Sequence, residues 1–241
     1  MGFTVCIHAW AWGRNDKRIV SISSGASLAA QPDPADVVIR AATVADIPAV
    51  VALHREAFAD KFGGAFGAAQ IERGADALLA AWQRQGSRAL RGMFLAELDA
   101  QVVGTITLRT WEMGDEDMYI TEQAFQQVLG VWGATRSIFA LSLLSHRIQR
   151  NEGYITDVAV HAAYRGLGIA RLLLEHAEQA ARQNRKRFVT LHVSQRNTTA
   201  CHLYERVGFE VAHVRHSLLT WFFFGQRRWL YMRKELHEIG Y

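Results

Sequence analysis

The stretch that most limits what this chain can fold into is residues 158–174. An apolar strand (Val158, Ala159, Val160) runs into a turn carrying Gly166 and Gly168, and a helix opens at once with Ile169, Leu172, Leu173 and Leu174. The first amides of a helix have no intrahelical partner, and the macrodipole places about half a positive charge there. Such an end is a ready seat for a phosphate or diphosphate. Glycines let the anion approach the backbone because no side chain intervenes, and Arg165 and Arg171 add charge beside them. Taken alone, the pattern also describes a plain tight turn between strand and helix. Two nucleotide motifs fit poorly. A dinucleotide fingerprint needs a third glycine where Arg171 stands, and a P-loop needs a closing Gly-Lys-Ser/Thr that is missing.

Around this segment the hydrophobic spacing predicts a mixed sheet covered by helices. Residues 37–40 form a short strand, and Thr43 with Asp46 reads as a capping box for a helix burying Ile47, Val50, Val51, Leu53 or His54, and Phe58. That helix is expected to end at Phe62-Gly63-Gly64, and a second to run over 68–85. Residues 93–98 and 102–110 read as an antiparallel hairpin. Residues 122–150 read as mostly helical, interrupted near 130–133. Then come a strand over 154–161, a helix over 166–183, a strand over 188–193, a helix over 198–207 and two last strands through 214 and over 229–233. Leu173, Ala177 and Ala181 share one helical face and are expected in the core.

A second motif lies downstream: Asn197, Ala200, Leu203, Tyr204, Gly208 and Phe209. Together with Arg165-x-x-Gly168-x-Ala170, in this order and at this distance, it resembles the paired signatures of the GNAT (GCN5-related N-acetyltransferase) superfamily. The strong match covers about residues 154–214; residues 37–110 fit by layout. The resemblance implies the GNAT fold, an α/β (α+β) architecture with a mixed, mostly antiparallel central sheet flanked by helices, here with a helical insert before the cofactor-binding strand. Residues 1–35 show no sustained periodicity and end in the breaker Gln31-Pro32-Asp33-Pro34, so a flexible leader, 1–35, is expected before an N-acetyltransferase domain, 36–241.

The same resemblance implies acetyl-CoA as co-substrate and direct transfer of acetyl to a primary amine within a ternary complex, without an acyl-enzyme. Val158, Ala159, Val160, Arg165, Gly166, Leu167, Gly168, Ile169, Ala170, Arg171, Asn197 and Tyr204 would bind the coenzyme. Backbone N–H groups of Val158 and Val160 would polarise the thioester carbonyl. Tyr204 would return a proton to the departing thiolate, and Asn197 would bond the pantetheine arm or cap its helix. An amine with a pKa near 10.4 is neutral only about once in a thousand molecules near pH 7.4, so a proton acceptor is needed. Strand alternation places His192 with Thr190 on one face of 188–193, and an imidazole suits the role of base; Asp157 and Glu152 are its rivals.

Composition narrows the field. Of 241 residues, 50% are hydrophobic and 21% charged, values of a globular chain that can build a core without staples. The two cysteines, Cys6 and Cys201, form no disulfide framework and no zinc-ligand spacing, so no metal is expected and a cytoplasmic setting follows. A net charge of +4 is spread out and comes without a nucleic-acid motif. No apolar run spans a bilayer, so neither nucleic acid nor membrane is expected as a partner. The aromatic run 221–224 reads as core of the last strands, with an acceptor wall or a homodimer face as the alternatives. The acceptor is expected to be a small-molecule amine, a protein N-terminus or lysine being the alternative. A non-catalytic acyl-CoA-binding module is the rival from another class.

Overall fold

The structure, a computed structural model, describes residues 36–114 and 117–236. The expected leader lies outside the described residues. A seven-stranded sheet holds β1 (Val38–Ala41), β2 (Met93–Leu98), β3 (Gln101–Thr110), β4 (Glu152–Val160), β5 (Phe188–Ser194), β6 (Glu210–His216) and β7 (Arg228–Glu235), in the order β1-β2-β3-β4-β5-β7-β6. Among the described residues only β4 and β5 pair parallel; every other neighbour is antiparallel. The expected mixed, mostly antiparallel α/β sheet is therefore present.

Helices α1 (Ile47–Ala57), α2 (Ala59–Phe66), α3 (Ile71–Gln85), α4 (Met118–Ser142) and α7 (Leu218–Phe224) cover one face; α5 (Ile169–Gln183) and α6 (Thr198–Arg206) cover the other. Ile47, Val50, Phe58, Phe62, Leu78 and Phe125 close the first layer over Met93 and Leu95. Leu173, Ala177 and Ala181 are fully buried against Ile106, Ile155 and Leu191 in the second, as their helical spacing requires. No helix among the described residues is long and apolar enough to cross a membrane.

Local chemistry explains the boundaries. The Asp46 carboxylate accepts from the Thr43 backbone N–H and hydroxyl, each at 2.8 Å, closing the expected capping box. The Asp99-Ala100 turn of the β2–β3 hairpin has φ 49° and 60°, the left-handed pair that a two-residue reversal needs.

Three expectations shift. The first helix breaks at Phe58, whose φ is −118°, and Gly63 and Gly64 fall inside α2 instead of ending a helix. A Cβ on Gly64 would sit 2.4 Å from a Phe224 ring carbon and 2.6 Å from the Phe223 carbonyl, so this glycine permits close packing on α7. The insert is kinked at Gly130 (φ 74°, ψ 169°) and stops being helical at Ser142, because Glu152 takes the His146 ring and the Gln149 N–H in place of helical bonds. The aromatic run forms α7, capped by the Ser217 hydroxyl accepting from Thr220 N–H and by left-handed Gly225. Phe224 is buried there, while Trp221 and Phe222 are exposed.

Candidate functional site

The α5 N-terminus is built as its glycines suggest. Gly166 and Gly168 have φ of 85° and 80°, a backbone open to glycine at little cost. A Cβ at either would meet nothing within 4 Å among the described residues. Arg171 and Leu172 donate their amides to the Gly168 carbonyl at 2.9 and 3.1 Å. The amides of residues 166–170 donate to no acceptor among the described residues. Arg165 Nε donates to the Val160 carbonyl at 3.0 Å and ties the turn to the end of β4. Arg171 leans back onto Glu175 at 2.7 Å and stays exposed.

From this turn a cavity of about 840 Å³ runs between β4 and α6, within the usual size of a small-ligand site. Its origin is the parallel join of the sheet. The β4–β5 pairing runs from Glu152↔Phe188 to Ile155↔Leu191 and stops, although β4 continues to Val160 and β5 to Ser194. Among the described residues, the β5-side edge of β4 from Thr156 onward thus has no strand beside it. Val158, Val160, Arg165, Gly166, Gly168, Ile169, Ala170, Arg171 and Tyr204 line the cavity, with Leu203 as further apolar wall and Lys234 at its rim. Ala159 does not: its side chain packs in the opposite layer. Leu167 packs against the α5-side core. Asn197 caps α6, its Oδ1 accepting from Ala200 N–H at 3.1 Å. Its buried Nδ2 has no partner among the described residues.

Tyr204 is 2% exposed, with its ring edge-on to Phe209 at 5.9 Å. Burial, and after it the neighbouring Cys201, raise its pKa above the usual phenol range, so the hydroxyl keeps its proton.

The other candidates lie on the opposite face of β4 and β5. Asp157 sits in a bulge: Thr105 pairs Ala159 and Thr107 pairs Thr156, so Asp157 and Val158 together face Ile106. Its φ is 55°. Burial raises the carboxyl pKa to about 6, against the pull of Lys61, the Thr156 hydroxyl (2.9 Å) and Arg109. His192 is 8% exposed and touches the Tyr154 hydroxyl through Nδ1 at 2.9 Å. Burial, then the neighbouring His146, Arg215 and His213, lower its pKa to about 3.

Glu152 is fully buried and takes His146 (2.8 Å), Tyr231 (3.0 Å), the Thr190 hydroxyl and the Gln149 amide. Burial alone would raise its pKa; the His146, Thr190 and Gln149 contacts outweigh it and hold the carboxyl below its ordinary value. Sequence reasoning singled out neither Lys61, buried on α2 with Nζ 4.3 Å from the Phe58 ring centre, nor Tyr154. Only the apolar stripe of α1, with His54 on its inner face, hinted that polar groups were buried there. No group of His, Cys, Asp or Glu among the described residues could hold a metal ion.

Among the described residues, a helix end whose first amides meet no acceptor is set against a gap in a mixed sheet, an arrangement suited to a phosphate-bearing ligand. The chain belongs to the acetyltransferase (GNAT) family, whose model matches residues 51–209. Over 65 residues it is 40% identical to the uncharacterized N-acetyltransferase YycN of Bacillus subtilis (strain 168), covering 27% of this chain and 42% of that one. Over 94 residues it is 31% identical to the streptothricin acetyltransferase of Streptomyces lavendulae, covering 39% and 50%. The chain thus spans half or less of the length of these curated relatives.

Its fold is similar to the PaiA N-acetyltransferase of Thermoplasma acidophilum, solved in complex with coenzyme A. That match has a TM-score of 0.53 and 15% identity, covering 83% of this chain and 99% of that one. The ribosomal-protein-alanine N-acetyltransferase of Brucella melitensis is also similar, with a TM-score of 0.52 and 20% identity over 83% and 99%. At such identities the likeness is one of fold.

Proposed function

We propose that this protein is an acetyl-CoA-dependent N-acetyltransferase that transfers acetyl directly to a primary amine, its acceptor a small molecule. One observation carries the reading: among the described residues, a single cavity links the α5 amides that meet no acceptor to Tyr204 along the edge of β4 that β5 leaves unpaired. Family membership supports it, as does the coenzyme A held by the PaiA structure of the same fold.

The residues present fit the coenzyme. Amides that meet no acceptor among the described residues suit a diphosphate, and the apolar wall of Val158, Val160 and Leu203 suits the pantetheine arm. When bound, acetyl-CoA supplies an activated acetyl thioester. Arg165 and the amides of residues 166–170 hold and orient the carrier. Strand alternation fixes the next part: His161 N–H bonds the Val103 carbonyl of β3 at 2.9 Å, so the amides of Val160 and Val158 face the open edge. There they stabilise charge developing on a carbonyl oxygen. Tyr204, kept protonated by burial, supplies the proton for the thiol. As the amide bond forms, the amine must lose a proton. Asp157, pushed up to about 6, takes it better than His192, pushed down to about 3, because the stronger base has the higher pKa.

The partial likeness to a streptothricin acetyltransferase favours a small acceptor. The test is thermal stabilisation by coenzyme A and by acetyl-CoA, followed by thiol release over panels of small amines and peptides. Turnover on small amines is expected. Turnover on peptides alone would move the acceptor to protein N-termini or lysines, and binding without turnover on either would leave a non-catalytic module.

A further inference from the structure

We propose that Thr105, seated by His54, is a positioning residue that locks the Asp157–Val158 peptide so that the Val158 N–H faces the acyl site; this rests on the acetyltransferase reading above. The bulge places Asp157, a residue with a Cβ, at φ 55°. Such a conformation persists only when its surroundings fix it. The fixing contact is visible: the Thr105 hydroxyl donates to the Asp157 carbonyl at 3.0 Å, with both residues buried. A trans peptide holds its C=O and N–H antiparallel, and the described residues contain no cis bond. With the carbonyl pinned toward β3, the Val158 N–H points the other way, toward the edge that β5 leaves unpaired.

The hydroxyl has one proton, and the carbonyl takes it. His54 Nε2, 3.0 Å from the same oxygen, must therefore be the donor of the second bond. This fixes the imidazole tautomer and leaves Nδ1 bare, and Nδ1 has no partner among the described residues. Phe58 and Trp82 hold the ring edge-on at 5.1 and 5.7 Å. Burial, and then Lys61, keep it neutral, with a pKa of about 3, so the donor is present throughout the working pH range. A buried histidine that leaves one nitrogen unsatisfied to serve a threonine is poorly explained by packing alone.

The experiment compares Thr105→Val, Thr105→Ser, His54→Gln and His54→Leu in the full chain. Thiol release from acetyl-CoA, with an amine or with water as acceptor, gives kcat and KM. Coenzyme A melting shifts report binding, and the carbonyl 13C resonance of Asp157 reports the clamp. Thr105→Val should lose about 100-fold in kcat, the scale of one misaimed oxyanion donor, at nearly unchanged KM for acetyl-CoA. Thr105→Ser should recover most of it. His54→Gln, which keeps an N–H, should exceed His54→Leu. The Asp157 carbonyl resonance should move in Thr105→Val and return in Thr105→Ser.

A wild-type kcat in Thr105→Val, a loss shared equally by coenzyme A binding, or an unmoved resonance overturns the clamp. A wild-type chain that neither gains stability from coenzyme A nor releases thiol sinks the acetyltransferase reading instead. The resonance then decides the clamp by itself.

Discussion

Tyr204 and Asp157 are two buried acids whose pKa values are raised for the same reason, loss of solvent, yet the consequence differs with the starting point. For the phenol, burial removes ionisation from the working range. Tyr204→Phe keeps the ring against Phe209 and deletes only the proton. It should lower kcat by about 100-fold with acetyl-CoA KM and melting temperature little changed; steady-state kinetics and a melt check this. For the carboxyl, burial brings ionisation into the working range, near pH 6. A base acts when deprotonated, so kcat/KM should rise with pH through about 6 in the wild type, and this limb should vanish in Asp157→Asn. If instead the limb survives in Asp157→Asn and vanishes in His192→Ala, the roles of the two residues are exchanged.

The signals for these residues were unequal. Tyr204, Arg165, Gly166 and Gly168 could be found because their spacing is local to one turn or one helix. Asp157 gave no sign of its left-handed backbone, since a bulge is a property of the register with β3. The His54–Thr105 contact joins residues 51 apart in sequence, a distance at which spacing carries no information.

At the scale of elements, the chain boundaries followed from caps and turns, and the misplacements trace to packing between elements distant in sequence. Gly63-Gly64 looks like a helix stop, yet the nearest atoms to a Cβ on Gly64 belong to Phe223 and Phe224 on α7. Gly64→Ala should therefore destabilise by about 1–3 kcal/mol, the cost of overpacking, although alanine is the better helix former. A urea melt reads the sign directly, and a stabilised variant would refute the close contact.

The strap from Leu143 to β4 is held in another way, through one buried carboxylate. Glu152→Gln should cost about 2 kcal/mol, the value of hydrogen bonds to a charged group. Because the Glu152 pKa is held below its unfolded value, its stabilisation is complete above the unfolded pKa, near 4.3, and fades as pH falls below it. Melts across that range should therefore show a steeper acid loss in the wild type than in Glu152→Gln. The run 221–224 was the hardest element to place. Four consecutive aromatics carry no period, and the informative residues were Ser217 and Gly225 on either side.

For the whole molecule, the parallel join is the weak seam and the place of the proposed site at once. The antiparallel strands on either side pair along their length, whereas β4 and β5 pair from Glu152↔Phe188 only to Ile155↔Leu191. The cavity beyond the seam is walled from one side by Val158, Val160 and the α5 turn, and from the other by Leu203, Tyr204 and Lys234. A ligand in that gap touches both halves, so its binding energy acts on the seam and not on α5 alone. At a ligand concentration about 100 times Kd the added stability is about 2.7 kcal/mol. Backbone amide exchange should then slow on β5, β7 and α6 together with β4 and the first turn of α5 when coenzyme A is added. Slowing confined to residues 166–172 would mean that the helix end captures an anion while the strand gap stays empty, and the path from diphosphate to Tyr204 would be lost. No residue within β4 or β5 announces in the sequence where their pairing ends. That end point depends on where two strands, far apart in the chain, are pulled by the helices packed on their opposite faces.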